Sequence, residues 1–135
     1  MIKYGNIILI TLIFTATSLL SFKYSEDFVN EAFPQGAAIQ MPDAVKSIIK
    51  NKCYDCHNSS SKSKKGKMKL NFDKLNSLKV YKQVAKMESI SESVTEGDMP
   101  PKKAIAKNPN LKLTEQEIKI LVKWADGYVK ELSGE

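Results

Sequence analysis

Arginine is absent from this chain of 135 residues, histidine occurs once and cysteine twice. A structural zinc site draws on four ligands, usually as two separated pairs, and the second pair is missing. No stretch alternates apolar and polar residues as a half-buried strand does. This excludes the βαβ pattern that a thioredoxin-like redox fold requires. A second histidine and an obvious acid/base pair are also lacking, so no substrate-handling constellation is visible and the chain is not expected to be an enzyme. No internal repeat occurs, and the length leaves room for one domain of ordinary globular composition.

Basic charge is plentiful. All 21 cationic side chains are lysine, set against 15 acids for a formal net charge of +6. That balance suits an acidic partner or a membrane surface, but exported domains also carry it for solubility, so by itself it selects no function. Near the N-terminus, Lys3 precedes an uncharged run from Ile7 to Leu20, bounded by Phe22 and Lys23. A basic start followed by an apolar region of about 7–15 residues has the shape of a secretory signal, and a spanning helix needs about 20. The cleavage site is poor, because Ala16, Thr17 and Ser18 are followed by Leu19 and Leu20. Residues 1–21 are therefore read as a signal peptide or an N-terminal anchor in the inner membrane. Either way the remainder is exported, and a periplasmic location is expected. No cysteine follows the apolar run, so lipoprotein attachment is not indicated.

Residues 22–41 show no sustained period and are interrupted by Pro34 and Gly36, which reads as a linker, with Phe28 and Phe33 available to dock on the domain. The domain itself is assigned to residues 42–135. Asp43 is a candidate N-cap for a helix that carries Val45, Ile48, Ile49 and the Lys52 stem on one side and runs into Cys53. The polar stretch Asn58–Lys69, with five lysines around Gly66, reads as a loop. A second helical region is expected from Asp73 to Val94 on Leu75, Leu78, Tyr81, Val84, Ala85 and Met87, with Asn76 and Ser77 as a possible break. Gly97 to Pro101 stops any helix. Thr114 and Glu117 form a capping box for a last helix over 114–132, striped by Ile118, Leu121, Val122, Ala125, Val129 and Leu132, with Trp124 and Tyr128 on its flank. The expected fold class is all-α.

Cys53-Tyr54-Asp55-Cys56-His57 uses both cysteines and the only histidine in the pattern CxxCH, the sequence mark of c-type haem attachment. Two thiols one tight turn apart can reach the two vinyl groups on one porphyrin edge. The following imidazole then lies where it can bind the iron. A disulfide or a redox pair would use the same cysteines but would leave His57 unexplained. With a single histidine, bis-histidine ligation within the chain is ruled out. The sixth iron position falls to a methionine, to another group, or stays open. Among Met41, Met68, Met87 and Met99, the leading candidate is Met99, held in an extended Gly-Asp-Met-Pro-Pro segment where the prolines stiffen the backbone. Met87 sits on a helix and suits core filling.

The stretch from Val45 to Tyr128 resembles the single-haem c-type cytochrome family, in particular bacterial haem-binding domains in which CxxCH is followed by a Met-Pro-Pro turn and a helix of the form L-T-x-x-E-I-x-x-L-x-x-W. The matching parts here are Cys53 to His57, Met99 to Pro101, and Leu113 to Trp124. The resemblance implies a compact cytochrome c-like helical domain, one covalent haem c, His57 and Met99 as axial ligands, and one-electron transfer in an exported compartment. The chain departs from the family in its lysine-rich loop after His57 and in lacking a Gly-aromatic pair on the first helix. The expected partner is a redox protein, with Lys62–Lys69 as a surface for an acidic one. No nucleic-acid partner is expected, and membrane association rests on residues 1–21. The alternative is a haem-based sensor or ligand-binding module with an open sixth iron position.

Overall fold

A computed structural model describes residues 38–133. The expectations for residues 1–21, for Phe28 and Phe33, and for the linker up to residue 37 lie outside the described residues. Within them the chain is all-α and strand-free, as its apolar periodicity implies. The helices are α1 (Asp43–Lys52), α2 (Lys64–Lys69), α3 (Val80–Thr95), α4 (Lys102–Lys107) and α5 (Glu115–Ser133), with 3-10 turns at Phe72–Ser77 and Pro109–Leu111. Among the described residues no helix is long and apolar enough to cross a membrane.

The largest helix contact is between α3 and α5. Along α3 the buried positions are Val80, Gln83, Met87, Ile90 and Val94, spaced three and four apart so that they form one face. This corrects the expected stripe: Tyr81 and Ala85 are exposed, and Gln83 has no exposed surface at all. A buried amide is tolerable only when its donors and acceptor are partnered. Gln83 Nε2 donates to the Leu75 carbonyl at 3.2 Å, and the Tyr128 hydroxyl donates to Gln83 Oε1 at 2.6 Å. Tyr128 consequently lies on the buried face of α5, beside Leu121 and Ala125, rather than on its flank. The expected break at Asn76 and Ser77 is real, with the 3-10 turn closing there and α3 starting at Val80.

Residues 38–41, read as the end of the linker, belong to the packed body. Ile39 is 4% exposed and joins Leu75, Met87, Ile90, Ala125 and Tyr128 in one core cluster. Its N–H donates to Asn76 Oδ1 at 3.0 Å, and Trp124 Nε1 donates to the Gln40 carbonyl at 2.9 Å. A lone apolar residue has no period, which is why this segment carries no signal of its own. A second cluster, built on Val45, Ile48, Ile49, Val94, Leu113 and Leu121, seats α1 against the first half of α5. Pro42 rather than Asp43 caps α1, and Asp43 stands in the first turn paired with Lys46.

The capping box at α5 is present as expected: the Glu117 N–H donates to Thr114 Oγ1 at 3.2 Å and the Thr114 N–H donates to Glu117 Oε2 at 2.8 Å. Glu117 does more than cap. Lys52, the last residue of α1, pairs with Glu117 Oε2 at 3.2 Å and donates to the Lys112 carbonyl at 2.8 Å. Desolvation opposes the Glu117 carboxylate, but the Thr114 N–H and the Lys52 ammonium together hold it below the ordinary carboxylate range. This ion pair ties the residue before Cys53 to the start of α5.

The lysine-rich stretch is not wholly a loop, since Lys64–Lys69 forms α2. Gly66 makes this possible. A Cβ there would stand 2.5 Å from the Cys56 carbonyl oxygen and 2.8 Å from Ser63 Oγ, closer than real contacts allow. Ser63 Oγ accepts from the Gly66 N–H at 3.2 Å as the cap, and buried Ser61 donates to the Asp55 carbonyl at 2.7 Å.

Two glycines give opposite predictions. Gly66→Ala should destabilise the protein by about 1–3 kcal/mol through overpacking. Gly127→Ala, inside α5 with nothing within 4 Å of the added carbon, should stabilise it by about 0.5–1 kcal/mol. Denaturant titration of each variant measures both signs. Because Glu117 has a lowered folded pKa, its stabilisation is present above the unfolded carboxylate value near 4.5 and is lost as pH falls through the folded value. Glu117→Gln should therefore lower stability at pH 7 and flatten the acid limb of a stability–pH curve, which thermal melts across pH 2–6 would show.

Candidate functional site

Between α1, the CxxCH turn, α3 and the Gly97–Pro101 segment lies a cavity of about 440 Å³. All four side chains singled out from the sequence, Cys53, Cys56, His57 and Met99, line it. Met41 and Met87 belong to the core, Met87 with no exposed surface, while Met68 is 82% exposed on α2. None of these three lines the cavity.

The CxxCH segment continues α1 as a tight turn. The Cys53 and Tyr54 N–H groups both donate to the Ile49 carbonyl at 2.9 Å, and the His57 N–H reaches the carbonyls of Cys53 at 3.2 Å and Tyr54 at 3.0 Å. This winding sets the two thiols one turn apart. Both cysteines are free thiols. Burial, reinforced by the negative charge of Glu117, pushes the Cys53 thiol up to about 11, so at neutral pH it is an uncharged thiol, not a reactive thiolate.

His57 is oriented by its own backbone surroundings. Its Nδ1 lies 3.1 Å from the Leu70 carbonyl oxygen. A carbonyl can only accept, so Nδ1 carries the hydrogen and Nε2 keeps its lone pair for a ligand bond. The Phe72 N–H returns a hydrogen bond to the His57 carbonyl at 2.9 Å, and the Phe72 ring meets the imidazole edge-on with centroids 6.4 Å apart. The Leu70 carbonyl on Nδ1 fixes the tautomer and the orientation of the ring.

Met99 is placed by the way α3 ends. Gly97 adopts φ +73°, a left-handed conformation that suits glycine. The Asp98 and Met99 N–H groups then both donate to the Ser93 carbonyl, at 3.0 and 3.1 Å. Pro100 is buried, the Met99–Pro100 peptide is cis, and Pro101 caps α4, a helix the sequence pattern did not indicate. Ile49, Leu70, Ile90, Leu113 and Leu121 supply apolar wall. Trp124 does not line the cavity. It packs against both core clusters, which identifies it as a core aromatic.

This donor set suits a haem: two thiols on one turn, an imidazole with an available nitrogen, a thioether on a different segment, and an apolar wall. The volume falls in the range of about 300–1,000 Å³ typical of cofactor sites. Sequence reasoning missed Leu70, Gly66 and the Lys52–Glu117 pair. Only Gly66, a lone glycine among lysines, carried a signal that could have revealed it.

Comparison with known proteins agrees. Residues 60–127 match the family described as a haem-binding domain, a span that starts just past the CxxCH turn and takes in Met99 to Pro101 and most of α5. No curated protein and no solved structure matches the chain. With half of its length matched, the chain belongs to the haem-binding domain family.

Proposed function

We infer that this is an exported mono-haem c-type cytochrome that transfers single electrons, with thioether links to Cys53 and Cys56 and with His57 and Met99 on the two sides of the iron. The observation that carries the reading is the convergence of those four side chains on one cavity, from segments more than 40 positions apart. When bound, the haem supplies an iron centre that takes up and returns one electron, at a potential raised by thioether ligation. The protein's part is to hold and shield. The Leu70 carbonyl keeps His57 in the ligating tautomer, the Ser93 carbonyl anchors the Met99 backbone, and the apolar wall excludes water. Export follows from the basic start and apolar run of residues 1–21, acting as signal or anchor.

The basic helix α2 packs on the Cys56 backbone through Gly66. Residues 56–72 hold five lysines and no acid. Positive charge beside the attachment turn favours encounter with an acidic redox protein, because exposed opposite charges steer association and salt screens them.

Two measurements test this function. Protein made with a c-type maturation system should show a low-spin spectrum with a methionine-type band, which Met99→Ala should abolish. A band that survives moves the sixth ligand elsewhere. High-spin iron that takes up carbon monoxide rapidly in the unmodified protein would instead favour the ligand-binding module. For the encounter surface, Lys64→Gln with Lys65→Gln should slow oxidation of the reduced protein by hexacyanoferrate(III) about two- to fivefold at low salt, with the difference vanishing near 1 M, where the screening length falls to about 3 Å. An unchanged low-salt rate would remove the docking role.

A further inference from the structure

A second cavity, also of about 440 Å³, shares Lys69, Leu70 and Lys86 with the haem cavity. Four lysines line it, from three elements: Lys67 and Lys69 on α2, Lys74 on the 3-10 turn, and Lys86 on α3. No aspartate or glutamate does. The nearest acid in sequence, Asp73, is engaged elsewhere: its carboxylate accepts from the Tyr54 hydroxyl and, at 2.8 Å, from the Ser59 N–H. Among the described residues the ion pairs are Lys46–Asp43 and Lys52–Glu117, so none of the four lysines has an acidic partner. Lys86 is held in place by donating from Nζ to the Lys69 carbonyl.

Four lysines and no acid line one concavity, so its local charge is positive and an anion placed there is attracted. Neutral donors are present as well. Ser59 and Asn71 line the cavity and bond to each other at 3.1 Å, while Leu75 and Leu78 give it an apolar side. Lysine binds phosphate as a point charge, and four such charges match a diphosphate better than a single carboxylate.

We propose that this cavity binds a small anion through a diphosphate group, either free or esterified to a compact apolar body. The site is separate from the iron ligands; Lys67 and Lys69 also belong to the five-lysine stretch beside the CxxCH turn, but Lys64 and Lys65, the pair that tests partner encounter, do not line it.

Isothermal titration of the haem-loaded full chain at low salt, with inorganic pyrophosphate and with isopentenyl diphosphate, tests the proposal. One equivalent should bind saturably, and Lys67→Gln combined with Lys74→Gln should weaken binding by about tenfold or more, given loss of two close charges. Tighter binding of the isopentenyl ester would identify an esterified source, and equal binding a free one. Lys119→Gln with Lys123→Gln, on α5 and away from the cavity, should leave affinity unchanged. Absence of saturable binding on protein whose absorption spectrum shows bound haem would overturn the site without touching the haem reading. Equal weakening by both lysine pairs would also overturn it, because attraction would then follow net charge.

Discussion

The hydrogen bond from His57 Nδ1 to the Leu70 carbonyl is the constraint on which the rest of this structure depends. It selects the tautomer in which Nε2 can bind metal, and it requires the chain to return to the imidazole thirteen residues after leaving it. The intervening segment is shaped to do so. Ser61 bonds back to Asp55, Ser63 caps α2, and Gly66 lets that helix rest on the Cys56 carbonyl. The Phe72 N–H then closes on the His57 carbonyl. A stretch that reads as solvated lysine loop is thus a bracket round the CxxCH turn, with Ser61 and Gly66 packed against its backbone.

On its other side the turn is held by α1 and α5. Lys52 ends α1 on the Glu117 carboxylate and the Lys112 carbonyl, and Glu117 is itself locked into the capping box. Both side chains are largely sheltered, 16% and 22% exposed, so removing one partner would cost more than a surface pair suggests. The opposite wall comes from the end of α3, where Gly97 breaks the helix and the Ser93 carbonyl gathers the next backbone donors. Two helix ends, one electrostatically tied and one terminated by glycine, therefore define the width of the cavity.

Much of this was legible in the sequence, and the unread parts share a cause. CxxCH, the Met-Pro-Pro turn and the Thr114–Glu117 box are local patterns whose chemistry lies within a few residues. The α3 face was misread because its buried stripe includes Gln83, and only partners eight and 45 positions away make a buried amide acceptable. Ile39 carried no period. The Lys52–Glu117 pair joins residues 65 apart in the sequence, and α2 forms because of a tertiary contact at Gly66, since KKGKMK has no apolar face of its own. Local signals located the chemistry, while the contacts that hold it in position are non-local.

The claim that the attachment turn carries the cofactor is tested most directly by peptide mass mapping of protein produced with c-type maturation. A fragment containing residues 53–57 is predicted to carry the added mass of one haem that survives acid extraction. A fragment of unmodified mass, with the haem extracted freely into organic solvent, would contradict the account.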